Sequence, residues 1–257
     1  KEKMDQLDAV LEYIDAGKFD AAEQALNALP PELRLARSVF GVRLLARQGK
    51  NEEANMAAQL ALELAMDVKD PHWQIAARSE WVVPQWELGL FDAMKENIRL
   101  AEVIVDSLPK DQKFPILVPL GQLNQYMGKF YLRKGMLETA VRYFRKSFFA
   151  YRNGGDGLLS ALPVSLIGQA YFEEKMYDGA LLHQYEALNI LEKLGKKEAM
   201  LNEWILACQT LEAMGNFHRA VEVVERCIRY SKELGNTTLE AEMRVRLDAL
   251  RQQQYAT

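Results

Sequence analysis

Cysteine is nearly absent. Two thiols, Cys208 and Cys227, stand in 257 residues, which gives no disulfide framework and no zinc spacing. Histidine is scarcer than a metal or relay site would want. His72, His183 and His218 are far apart in sequence, and no HExxH, P-loop, GxSxG or GxGxxG is found. No apolar run approaches the ~18 residues of a membrane span, and no secretory leader is read. A formal charge of −4 supplies no bulk attraction to nucleic acid or anionic lipid. These gaps leave a non-enzymatic chain with no cofactor, no nucleic-acid partner and no membrane contact by this segment as the expectation. The thiol-poor composition fits the cytoplasm first and the periplasm second.

What is present is an internal repeat. The phrases GMLETA, KMYDGA and GNFHRA end at Ala140, Ala180 and Ala220, 40 residues apart. Related phrases end at Ala22, Ala54 and Met94. Repeats of this length build arrays in which each unit packs on its neighbours. With 49% apolar residues the chain has material for a continuous core.

Each unit reads as two helices. Leu123, Met127 and Tyr131 recur at three- and four-residue steps, then Gly135 breaks the helix. A second helix starts near Leu137 and carries Ala140, Phe144 and Phe148. Gly17, Gly49, Gly89 and Gly215 repeat the break, and Lys175 replaces it once. An aromatic follows at Phe19, Phe91, Tyr177 and Phe217, placed to wedge between the two helices. GGDG at 154–157 falls where a helix ends and reads as cap and turn. Pro84 is expected to kink its helix. Thr238 to Gln254 reads as a final helix with Leu239, Met243, Leu247 and Leu250 buried, capped by Asn236 or Thr237.

This grammar resembles the tetratricopeptide repeat. Gly128, Tyr131 and Ala140 match its small, aromatic and alanine positions, as do Gly168, Tyr171 and Ala180. Trp204, Cys208 and Ala220 match with Leu211 in place of the aromatic, and Tyr13 and Ala22 match in the first unit. The ~40-residue period is similar to the extended arrays of bacterial regulators and sensors. The resemblance implies an all-α right-handed superhelical solenoid of six hairpins plus a capping helix. The whole 1–257 is expected to form one domain, with N-terminal repeats over 1–106, a longer loop at 107–115, C-terminal repeats over 116–236 and the cap at 238–254.

The resemblance also implies a protein or peptide segment bound along the first helices, in a concave groove. By helical phase the outward residues there include Arg43, Arg47, Trp86, Gln122, Gln125, Lys129, Arg133, Gln169, Phe172, Asn202 and Gln209. Amides can hydrogen-bond an extended backbone, and the rings can anchor it. The chain is read as a sensory or regulatory input domain, with an effector such as a diguanylate cyclase or transcription regulator fused outside it. Rival readings are a scaffold or homodimerisation domain and a small-ligand sensor with a pocket near Trp86 and Phe172. Cys208 and Cys227 read as buried structural thiols, or as a redox pair if geometry allows a bridge.

Overall fold

The computed structural model describes residues 2–256. Thirteen α-helices follow one another, and among the described residues there is no strand. In chain order they are α1 (Glu2–Asp15), α2 (Phe19–Asn27), α3 (Arg34–Arg47), α4 (Asn51–Asp67), α5 (Pro71–Glu87), α6 (Phe91–Ser107) and α7 (Leu117–Arg133). Then come α8 (Leu137–Asn153), α9 (Gly157–Glu173), α10 (Tyr177–Lys193), α11 (Lys197–Ala213), α12 (Phe217–Glu233) and α13 (Thr237–Ala256). The chain forms two compact units, residues 1–134 and 135–257. The first contains α1 to α7, and the second α8 to α13.

The hairpin turns are chemically uniform. At Gly17 the amide of Lys18 reaches back to the Tyr13 carbonyl at 2.9 Å, and that of Gly17 to Ile14 at 3.1 Å. This double closure satisfies orphan helix-end carbonyls and needs a left-handed residue. Glycine supplies it at most turns, but Lys175 takes φ +58° and Lys69 φ +55° in the same role. At 154–157 Gly155 is the left-handed residue, and Asp156 caps α9 by accepting from the Leu159 amide at 2.9 Å.

Each second helix then places a small or slender residue against its neighbour. Ala22, Ala54, Met94, Ala140, Ala180 and Ala220 are all fully buried. In the α9–α10 pair the approach is measurable. A Cβ on Gly168 would lie 3.3 Å from the Ala180 carbonyl oxygen and 3.2 Å from Gln184 Cγ. Tyr171 lies over Gly179 and stacks on His183, with ring centroids 5.3 Å apart. In the first hairpin Tyr13 departs from this pattern and is exposed, while Val10 and Ile14 fill the core beside it.

The segment after α6 is ordered into two 3-10 turns, Lys110–Gln112 and Phe114–Ile116, that lead into α7. It is tied to the start of α5, where His72 meets the Gln112 carbonyl at 2.9 Å. Pro84 does not end α5, which runs unbroken from Pro71 to Glu87, and α9 likewise runs through Pro163. One missing amide leaves one carbonyl unbonded, a cost that packing on both sides offsets. On α13, Met243, Leu247 and Leu250 are buried and Leu239 half-buried. Asn236 is the cap, accepting from the Leu239 amide at 3.1 Å, while Glu240 turns to Arg244.

A non-glycine residue in the left-handed region carries a penalty of about 1–2 kcal/mol, partly offset by glycine's extra chain entropy. Lys175→Gly is therefore expected to stabilise the protein by roughly 0.5–1 kcal/mol in denaturant unfolding. A loss of stability would show that the lysine side chain supports the turn.

Candidate functional site

On the first unit, α5 and α7 bring several of the expected groove residues together. Lys129 Nζ lies 4.6 Å from the ring centroid of Trp86 and 4.6 Å from that of Tyr126. Trp86 packs edge-on against Phe91 at 5.0 Å and Tyr126 at 6.1 Å. The Arg133 guanidinium stands over Phe91 at 4.4 Å. Cations and rings thus alternate along this face. Burial among the rings lowers the Lys129 pKa, and Glu87 opposes that shift. Burial, then Glu87 and Glu80, pushes the Tyr126 hydroxyl up to about 12, so it stays neutral.

The other residues of this face are engaged too. Arg43 binds the buried Glu80 carboxylate, with Nε at 2.9 Å from Oε1. Gln122 donates to the Ser79 carbonyl, and the Ser79 hydroxyl donates to Pro119 at 3.3 Å. Arg47 stays exposed near Asp15, at 3.7 Å. Gln125 is half-buried on α7. Neighbouring first helices are therefore joined by polar ties as well as apolar packing.

The sequence pattern did not reveal the buried polar knot behind this face. Arg78 donates to Asn97 Oδ1 at 3.0 Å, and Asn97 in turn donates to the Arg78 carbonyl and to Gln85 Oε1. Arg78 Nε is buried without a partner. Burial lowers the Arg78 pKa, partly countered by Glu96. The signal available was weak: polar residues at stripe positions of α5.

On the second unit, Gln169, Asn202 and Gln209 are exposed on α9 and α11, and Phe172 is half-buried against Tyr177 at 5.5 Å. Glu212 forms a two-point ion pair with Arg246 of α13, at 2.7 and 2.8 Å. Glu203 is the residue that sequence reading missed. It is buried, accepts from the Ser165 hydroxyl at 2.8 Å through Oε2, and leaves Oε1 without a partner. Burial pushes its carboxyl up to about 7, against the lowering effect of Ser165.

Cys208 and Cys227 are buried free thiols. Burial pushes them up to about 12 and about 11, the setting of inert structural cysteines. Two surface clefts are lined by residues other than Trp86 and Phe172. One, of about 400 Å³, lies among α2, α3 and α4. The other, of about 490 Å³, lies at the Lys175 to Gly179 turn beside Met214.

With this geometry in hand, known proteins offer a comparison of folds. No family model matches the chain, and no curated protein matches it. Solved structures do. The apo form of RapI superposes with a TM-score of 0.76 at 9% identity, covering 100% of this chain and 72% of that one. A STAND protein with a tetratricopeptide repeat sensor, from Pyrococcus horikoshii, gives 0.72 at 15%, covering 91% and 36%. BtubC (BKLC) from P. vanneervenii gives 0.66 at 16%, covering 91% and 93%. The fold is a TPR-like array of helix hairpins. The α-hairpin repeat read from the glycine and alanine spacing is the one observed.

A raised carboxyl pKa has a definite sign. The folded chain holds the Glu203 proton more tightly than the unfolded chain, where glutamate titrates near about 4.3. The resulting stability is fully present below about pH 4.3 and is lost as pH rises through about 7. Glu203→Gln should remove this pH-dependent component and make the protein more stable than wild type above pH 7. Parallel pH dependences of the two proteins in denaturant titrations would contradict the assignment.

Proposed function

We propose that this chain is a non-enzymatic protein-binding module whose first-helix face takes a partner segment, as the concave groove of such arrays would. The observation that carries this reading is a segregation of charge in the first unit. Of its first helices, α1 is acidic, with Asp5, Asp8, Glu12 and Asp15, whereas α3, α5 and α7 bear Arg34, Arg37, Arg43, Arg47, Arg78, Lys129 and Arg133 against Glu80 and Glu87. Its second helices α4 and α6 bear Glu52, Glu53, Glu63, Asp67, Asp92, Glu96, Glu102 and Asp106 against Lys95 and Arg99. A chain of net charge −4 thus gathers basic residues on α3, α5 and α7, where Arg78 is buried, Arg43 is paired with Glu80, and Arg47 and Arg133 are exposed. Such a face favours acidic segments by steering and by register.

Within that face Arg47 and Arg133 are exposed, and Trp86, Phe91 and Tyr126 give apolar area beside them. Gln122, Gln125 and Lys129 complete the candidate contact set. On the second unit Gln169, Phe172, Asn202 and Gln209 form a candidate set of their own. The finer reading is a sensory or regulatory input domain of a larger signalling protein. It is supported by the likeness in fold to an array described as a tetratricopeptide repeat sensor. Self-association through the last helix is a second reading, favoured by Val245 and Tyr255, exposed on α13. Light scattering across a concentration series separates the two.

The test is capture of partners from the source cell's lysate by the wild-type chain and by two folded variants. Arg47→Glu with Arg133→Glu reverses charge on the first-helix face. Glu53→Lys with Asp67→Lys does so on α4. The proposal expects the first pair to weaken capture by at least about tenfold, with a salt-dependent residual, and the second to leave it unchanged. The reverse pattern would reject the face.

A further inference from the structure

Glu203 stands out in the second unit as a buried acid whose charge nothing nearby answers. It is 5% exposed, on α11, and its one hydrogen bond comes from Ser165 of α9. Oε1 has no partner. Four basic side chains of the elements around it are committed elsewhere, and Lys193 of α10 and Arg229 and Lys232 of α12 are exposed. Arg226 of α12 covers Trp204 at 4.5 Å, and Arg219 donates to the Tyr185 hydroxyl at 2.9 Å. Lys197 pairs with Glu233 at 2.7 Å, and Arg246 with Glu212 at 2.7 Å. Buried carboxylates are ordinarily paired or fully hydrogen-bonded, so a half-satisfied one marks a missing donor.

The surroundings fit a particular kind of donor. Ser165 and Glu203 join two neighbouring first helices, the elements that carry the candidate groove. Gln169 lies one helical turn beyond Ser165, and Asn202 is adjacent to Glu203; both are exposed. Their amide oxygens can accept further N–H groups. α9 carries Glu173 and no basic residue, and α11 carries Glu198, Glu203 and Glu212 against Lys197. The local charge therefore has the sign opposite to that of the first unit's face.

We infer that Glu203, with Ser165, Gln169 and Asn202, forms a binding site for a cationic N–H donor, the guanidinium or ammonium of a partner's arginine or lysine. The incoming N–H groups complete Oε1 and neutralise the carboxylate, while the two amides hold the rest of the planar head. A guanidinium, with five donors in a fixed fork, fits best. The carrier's identity as a protein segment rests on the binding-module reading above. The site itself does not, because a small probe can test it without a partner.

The probe is methylguanidinium, titrated at pH 8 into the full chain labelled with 13C at glutamate carboxyls. Tetramethylammonium, a cation with no N–H, is the control. The expected result is a saturable shift of the Glu203 carboxyl signal, with its titration moved to lower pH, for methylguanidinium alone. Gln169→Ala with Asn202→Ala should weaken binding several-fold. Glu203→Gln, which keeps the shape and the Ser165 contact, should weaken it at least about tenfold, read at the amides of residues 165, 169 and 202. An absent shift below unfolding concentrations, an equal shift with tetramethylammonium, or undiminished binding by Glu203→Gln would each overturn the site. A failed lysate capture with a positive probe titration would reject the partner reading and keep the site.

Discussion

Close approach of paired helices is the constraint on which this structure depends. Two helices at the distance seen between α9 and α10 would crowd a Cβ on Gly168, 3.2 Å from Gln184 Cγ and 3.3 Å from the Ala180 carbonyl oxygen. The alanine that faces it, Ala180, is fully buried, as are Ala22, Ala54 and Ala220 at the matching points. The left-handed residue five positions before each second helix's buried contact fixes where that helix begins. The turn sets the register, the small residue sets the distance, and the aromatic beside them fills what remains. Because the device is local, it can be repeated with different surfaces attached.

The attached surfaces differ between the two units. In the first, cations and rings interleave on the first helices, and acids crowd the second helices. The cluster of Trp86, Phe91, Tyr126, Lys129 and Arg133 binds its own cations, so its rings are held in place without a ligand. Preorganised rings spend little conformational entropy on a partner. In the second unit the polar ties between first helices are acidic, through Glu203 and Glu212.

Periodicity made the helices and turns readable before any coordinates. Glycine breaks, alanine contacts and the final helix's Met243, Leu247 and Leu250 all fell where their spacing placed them, because each depends on neighbours within one hairpin. Lys175 shows the limit of that logic: the residue type changed, but the turn's hydrogen bonds imposed the same φ on it. Outward-facing residues were legible as positions but not as environments. Lys129 reads as a free basic group in sequence, yet its cage comes from Trp86 and Tyr126, 43 and 3 residues away. Glu203 and Arg78 were invisible for the same reason. Their burial is decided by helices distant in sequence, and a glutamate or arginine on an amphipathic helix looks like any solvated one.

Hydroxyl-radical footprinting of the chain alone and in complex with a captured partner tests the central claim most directly. The account predicts reduced oxidation of Trp86, Phe91 and Tyr126 in the complex, with Met56 and Leu60 on α4 unchanged. Protection of Met56 and Leu60, with Trp86, Phe91 and Tyr126 unaffected, would place the partner on the second helices and contradict it.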